Sequence, residues 1–256
     1  MSSRQTRLAS LRAEIAALET LSQPVGEVLP FGDARVDGRL PGGGLALGRW
    51  HEFAGEGLEL ETAAAGAAFA ARLAAPLTGR GALVWVLRRD DLHAPGLAGL
   101  GFPADRLIQV CARDEAEALA VLEDALRTPG VAAVFGEVEA VSLTAGRRLQ
   151  LACESGSATG FILRRRPFGG RDRGGGTGSA AATRWSIASA PSQPAADEPG
   201  LGPPRWRVTL ERCRGGRTGG WLMEAWEDDD APHSLRVVAE LGDHRLAPEA
   251  EFKLAG

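Results

Sequence analysis

GRWHEFAGEGLELETAAAGAAFAARLAA, residues 48–75, is the stretch whose reading decides the fold. Its first part, GRWHEFAG (48–55), reads as a strand with Trp50 and Phe53 as its bulky apolar residues. Its last part, ETAAAGAAFAARLAA (61–75), is rich in alanine, the strongest intrinsic helix former, and Pro76 stands just beyond it as a stop. The loop GEGLELET (55–62) joins the two, and the glycine-rich turn PGGGLALG (41–48) delivers the chain to the strand. The same alternation repeats downstream. GALVWVL (81–87), RLIQVCA (106–112) and VAAVFGEV (131–138) are short continuous apolar runs of the kind buried on both faces of a parallel sheet. DEAEALAVLEDALRT (114–128) turns Ala118, Leu119, Leu122 and Leu126 to one side, carries acids in its first turn and ends at Pro129-Gly130. SLTAGRRLQLAC (142–153) reads as a helix capped by Ser142, and ATGFILR (158–164) as a further strand. Strands alternating with helices predict right-handed βαβ units, hence an α/β fold with a mostly parallel central sheet flanked by helices.

Towards the N-terminus, Leu8, Leu11, Ile15, Leu18 and Leu21 recur at three- and four-residue spacing, which predicts an amphipathic helix over 3–21, stopped by Pro24. An isolated helix of this length is marginal in water, so its apolar stripe docks, either on its own domain or on a partner. Towards the C-terminus the composition changes. Residues 166–204 are dominated by Gly, Ser, Pro and Arg and read as a flexible insertion containing one short strand, TRWSIAS (183–189). RWRVTLERC (205–213) and GGWLMEAW (219–226) then form a hairpin, with Trp221 and Trp226 read as core, and LRVVAEL (235–241) adds an edge strand. The predicted organisation is a helix at 1–24, an α/β core at 25–165, the insertion at 166–204, antiparallel strands completing the core at 205–241, and a frayed tail at 242–256.

The 256 residues are 44% hydrophobic and 24% charged, with a formal net charge of -4. A strongly basic whole-protein field is thereby excluded, so any nucleic-acid contact rests on a local patch. Lys253 is the only lysine, so the positive charge is almost all arginine. Cys111, Cys153 and Cys213 are odd in number, far apart and without a CxxC pair, which argues against a disulfide framework and a zinc site and for the reducing cytoplasm. No apolar run reaches the roughly 20 residues of a membrane span. His51 and His93 stand apart, with no metal-binding or catalytic pattern around them, and read as structural. No metal and no cofactor are expected.

The loop 55–62 lies between a strand and a helix, where a phosphate-binding P-loop, G-x-x-x-x-G-K-[ST], would sit. Gly55 and Thr62 match the ends of that pattern, but Leu60 replaces its second glycine and Glu61 its lysine. The second glycine lets backbone N–H groups approach the phosphates, and Leu60 obstructs that approach. Glu56, Glu59 and Glu61 give the loop three carboxylates and no cation. One charge pair at about 4 Å near a surface is worth about 4 kcal/mol. Replacing that attraction by repulsion costs more than ~1000-fold in affinity, so the loop is not expected to bind ATP and no catalysis is expected of it.

The segment RVDGRLPGGGLALGRWHEFAGE (35–56) resembles the approach to the P-loop in RecA. VLRRDDLHAP (86–95) falls where RecA carries its catalytic glutamate, with Asp90 the nearest candidate. In GVAAVFGEV (130–138), Gly136 stands at the position of the magnesium-linked aspartate, and Glu137 beside it belongs to the other face of the strand. FILRRR (161–166) resembles the strand leading to RecA's second DNA-binding loop. WRVTLERCRGG (206–216) places Arg212 and Arg214 where RecA has two lysines that reach a neighbour's ATP. The resemblance covers roughly residues 30–226. With the lost P-loop and the N-terminal helix, the chain is similar to the ImuA family of RecA-like proteins. That resemblance implies a non-catalytic accessory role in SOS-induced, error-prone translesion synthesis, in the cytoplasm and at the nucleoid. The implied partners are RecA, the Y-family-polymerase-related ImuB and an error-prone C-family polymerase. A SulA-like cell-division inhibitor and a divergent RecA-type DNA-dependent ATPase are the alternatives.

Two further groups of arginines carry open readings. Arg164, Arg165, Arg166, Arg171 and Arg173, against Asp172 alone, make either a solvated linker or a weak, sequence-independent DNA contact. Arg212 and Arg214 share one strand face and meet either an acidic partner, as the stripe Leu8, Leu11, Ile15 and Leu18 would meet an apolar one, or Glu211 and the acids at 227–230.

Overall fold

The computed structural model describes residues 26–56, 59–165, 179–194, 199–227 and 234–241, with the backbone alone for 59–63. The N-terminal helix and its stripe Leu8, Leu11, Ile15 and Leu18, the residues Arg166, Arg171 and Arg173, and the tail lie outside the described residues. In chain order the elements are β1 (Val28–Leu29), α1 (Ala34–Asp37), β2 (Leu45–Ala46), β3 (Trp50–Gly55), α2 (Glu59–Ala74), β4 (Ala82–Leu87), α3 (Ala94–Ala98), β5 (Leu107–Cys111), α4 (Glu115–Arg127), β6 (Val131–Val138), α5 (Leu143–Gly156), β7 (Thr159–Arg164), β8 (Thr183–Ala190), β9 (Arg205–Cys213), β10 (Gly219–Trp226) and β11 (Ser234–Glu240).

Nine strands form one sheet in the order β11-β10-β9-β8-β3-β7-β6-β4-β5. From β8 to β5 all neighbours are parallel. β9, β10 and β11 continue the sheet antiparallel at its C-terminal edge. The α/β architecture expected from the alternation is the one observed. The strand 183–189 does not stand apart in a flexible stretch. As β8 it pairs with β3 on one side and β9 on the other, and buries Trp185 and Ile187 completely. Its period-2 pattern hides the apolar face among polar residues, which is how a core strand escapes a composition-based reading. The run 106–112 differs from expectation in the opposite sense. Among the described residues β5 is the sheet edge, pairs only with β4, and leaves Ile108 53% exposed.

Each face of the sheet has its own core. On one face a file of aromatic rings crosses five adjacent strands. Trp85 stacks on Phe135 at 4.6 Å, Phe135 on Phe161 at 4.8 Å, Phe161 on Phe53 at 5.9 Å and Phe53 on Trp185 at 6.4 Å. Such pairs add about 0.5–1.5 kcal/mol each beyond the area they bury. The alanines of α2 let that helix lie close over the file, with Ala70, Ala71 and Ala74 fully buried and Phe69 against Phe53 and Trp206. The other face is aliphatic. Val86, Val134 and Ile162 meet Ala118, Leu122 and Leu126 of α4 and Leu149, Ala152 and Cys153 of α5.

Local chemistry fixes the ends of these helices. Asp114 caps α4 by accepting from Glu117 N, and Ser142 caps α5 by accepting from Ala145 N, the second as the sequence predicts. α5 stops where Gly156 passes the end of α4, since a Cβ there would lie 2.0 Å from Leu126 O. Ser157 then takes the left-handed conformation at φ 64 and returns its N–H to Cys153 O. Trp221 is core, as expected, but Trp226 is 38% exposed at the end of β10, with the Arg236 guanidinium 3.6 Å over its ring.

Candidate functional site

In open α/β sheets, ligands lie beyond the carboxyl ends of the strands, where the strand order reverses. Here that region is the end of β3, β7, β6 and β4, and the loop 55–62 leaves from it. Gly55 is the last residue of β3, and Leu60, Glu61 and Thr62 fall in the first turn of α2. The Glu56 N–H donates to Ile187 O at 3.0 Å, and its carboxylate meets Arg207 at 3.2 Å in an exposed ion pair. Gly136 has a packing reason. It faces α4, and a Cβ there would lie 2.4 Å from Leu122. An aspartate at that position has no room unless Leu122 moves.

Two buried carboxylates dominate this edge. Glu52, 2% exposed, sits in the middle of β3 on the α5 face. It accepts from Arg164 Nη1 at 2.6 Å, Arg184 Nη2 at 3.2 Å and Ser179 Oγ at 3.1 Å. The Arg164 Nε donates to Glu139 O at 2.8 Å. Glu137, also 2% exposed, lies on the opposite face. It accepts from Trp85 Nε1 at 3.1 Å and Arg165 Nη1 at 2.5 Å. The same guanidinium reaches Asp91 at 2.9 Å. Burial raises the Glu137 carboxyl above its ordinary value, with Arg165 opposing, while hydrogen bonding to Arg165 holds Asp91 below its own. Burial works against the charge of Arg165, but Asp91 and Glu137 outweigh it.

Arg164 and Arg165 are therefore engaged with carboxylates of the same chain, with side chains 8% and 18% exposed. Asp90 is exposed, and its neighbour Asp91 carries the contact to Arg165. Arg212 Nη1 donates to Ser179 O at 2.5 Å, and Arg214 lines a cavity at the opposite end of the strands. His51 is fully buried and structural, as expected. The Trp185 indole donates to Thr183 Oγ1 at 2.7 Å, that hydroxyl is 2.7 Å from His51 Nδ1, and Nε2 is 2.8 Å from Ala46 O. The carbonyl requires a donor, so Nε2 carries the proton and Nδ1 accepts from Thr183. Burial lowers the ring from 6.5 to about 4, which keeps it neutral.

Sequence reasoning missed Glu52, Glu137 and Arg184. The usable signal was a carboxylate inside an otherwise apolar strand, which demands a buried cation. What the edge does chemically is hold two buried carboxylates saturated by guanidinium groups of the same chain. Among the described residues, no helix is long and apolar enough to cross a membrane.

No protein-family profile matches the chain. Over 225 residues it is 61% identical to Protein ImuA of Caulobacter vibrioides strain NA1000 / CB15N, an alignment covering 86% of this chain and 92% of that protein. The same figures hold for Protein ImuA of Caulobacter vibrioides strain ATCC 19089 / CIP 103742 / CB 15. Among solved structures, SulA from Pseudomonas aeruginosa matches at TM-score 0.39 and 24% identity, over 45% of this chain and 96% of that one.

Proposed function

The chain belongs to the ImuA family, and from that premise we propose that it is a non-catalytic accessory protein of SOS-induced, error-prone translesion synthesis. It acts in the cytoplasm, at the nucleoid, by binding RecA and an ImuB-like, Y-family-polymerase-related protein that works with an error-prone C-family polymerase. The observation that supports this reading is the saturated edge. Glu52 sits buried in the middle of β3 and Glu137 near the carboxyl end of β6, each neutralised by arginines of the same chain. Beside them, Glu61 occupies the lysine position of the loop. A triphosphate brought here meets added negative charge.

The test has two arms. Magnesium-ATP at millimolar concentration is expected to leave the thermal unfolding of the pure protein unchanged and to be hydrolysed no faster with DNA than without. Tagged protein is expected to recover purified RecA or the ImuB-like protein. Recovery of neither, or DNA-stimulated hydrolysis, overturns the reading. Weak DNA contact through Arg166, Arg171 and Arg173 belongs to the same proposal. Replacing Arg171 and Arg173 by alanine is expected to lower the salt dependence of DNA binding by about two phosphate contacts.

A further inference from the structure

At the amino ends of β3, β7 and β8, away from the loop 55–62, lies a cavity of about 420 Å3. That volume is within the range of sites that take a drug-sized ligand or a few peptide residues. Its apolar walls include Leu40, Pro41, Leu47 and Ala182. Three of its charged residues are matched within the chain, Arg49 to Glu154 and Glu27 to Arg80. Arg214 differs. Its Nε is buried and meets no hydrogen-bond acceptor among the described residues. Arginine cannot shed its charge, so a buried guanidinium N–H without an acceptor is an uncompensated cost, and such groups call for an explanation. The platform beneath it is fixed. The Arg214 N–H donates to Ala182 O at 3.0 Å, and Arg212 anchors the neighbouring segment through Ser179 O.

The surroundings select the ligand. A carboxylate meets a guanidinium fork with two parallel hydrogen bonds. A doubly charged phosphate is disfavoured, because Glu154 and the carboxyl end of α5 border the cavity and that end is the negative pole of the helix. The apolar walls favour apolar side chains on either side of the acid. We propose that this cavity is a docking site for a peptide segment of a partner protein, in which one carboxylate, flanked by apolar residues, pairs with Arg214. Because the cavity lies at the other end of the sheet from the loop 55–62, the inference stands or falls apart from the accessory reading above.

The test is selection of random nonapeptides by display on the full-length protein. The selected peptides are expected to share an acidic residue beside apolar ones. They should bind Arg214→Met at least tenfold more weakly, and lose binding to Ala182→Leu, which fills the cavity, while both variants unfold at the wild-type temperature. Inorganic phosphate at matched ionic strength should displace them no better than acetate does. Acid-free peptides, equal affinity for Arg214→Met, preferential displacement by phosphate, or no peptides at all (as when the chain's own residues 1–24 occupy the cavity) overturn the proposal. If Arg214→Met fails to fold, the Ala182→Leu comparison decides alone.

Discussion

In the middle of β3 and near the carboxyl end of β6, Glu52 and Glu137 are buried and each is held by arginines of the same chain. At the amino ends, the Arg214 Nε is enclosed with no acceptor among the described residues, and its half-buried side chain borders a cavity. The same residue type, in a chain whose basic residues are almost all arginine, closes one end of the sheet electrostatically and leaves the other receptive. An arginine's role therefore follows from the charge across from it, not from how many arginines stand beside it in sequence. Arg164 and Arg165, which lead a run of arginines, meet buried carboxylates, whereas Arg214, in an ordinary turn, keeps a buried Nε without an acceptor among the described residues.

The sharpest way to break this comparison is Glu52→Ala. It removes the carboxylate that faces Arg164 and Arg184, 8% and 17% exposed, and is expected to cost about 3–5 kcal/mol in urea unfolding. A loss under about 1 kcal/mol would show that the closed end is not closed by charge. The amino end should instead be sensitive to acid. The folded protein holds His51 neutral down to about 4, whereas the unfolded chain takes up its proton near 6.5. Stability present above pH 6.5 is thus lost as the pH falls towards 4, by about 3 kcal/mol in all. His51→Gln should flatten that part of the stability-pH curve, and an unchanged slope would assign it to other groups. Ser142→Ala removes the cap of α5, which backs both regions, and is expected to cost about 1 kcal/mol in thermal unfolding. Arg214→Met should move stability least, by no more than about 0.5 kcal/mol, because no side-chain pairing among the described residues is lost. A loss as large as that of Glu52→Ala would mean that Arg214 is a structural arginine too.

Much of the fold was legible along the chain. The runs at 81–87 and 131–138 became β4 and β6, and the cap Ser142 was readable from the residue type alone. The edge position of β5 was not, because an apolar run looks the same whether one neighbour flanks it or two. β8 was readable as a strand but not as a central one. Of the candidate site, the unusual loop was legible, since a sign change from lysine to glutamate needs no coordinates. The partners of Glu52 were not, because Arg164 and Arg184 lie far from it in sequence and meet it only through the pairing of β3 with β7 and β8.

By itself the sequence determined the order of strands and helices, which stretches are apolar, and that the loop 55–62 carries three carboxylates and no cation. These are local properties, written in periodicity, capping and formal charge. Only the tertiary structure decided which arginines are consumed by carboxylates, which glycine is forced by a passing side chain, as Gly136 is by Leu122, and where a cavity remains. Pairing, close approach and enclosed space depend on distances between residues remote in the chain, and strand order alone sets those distances.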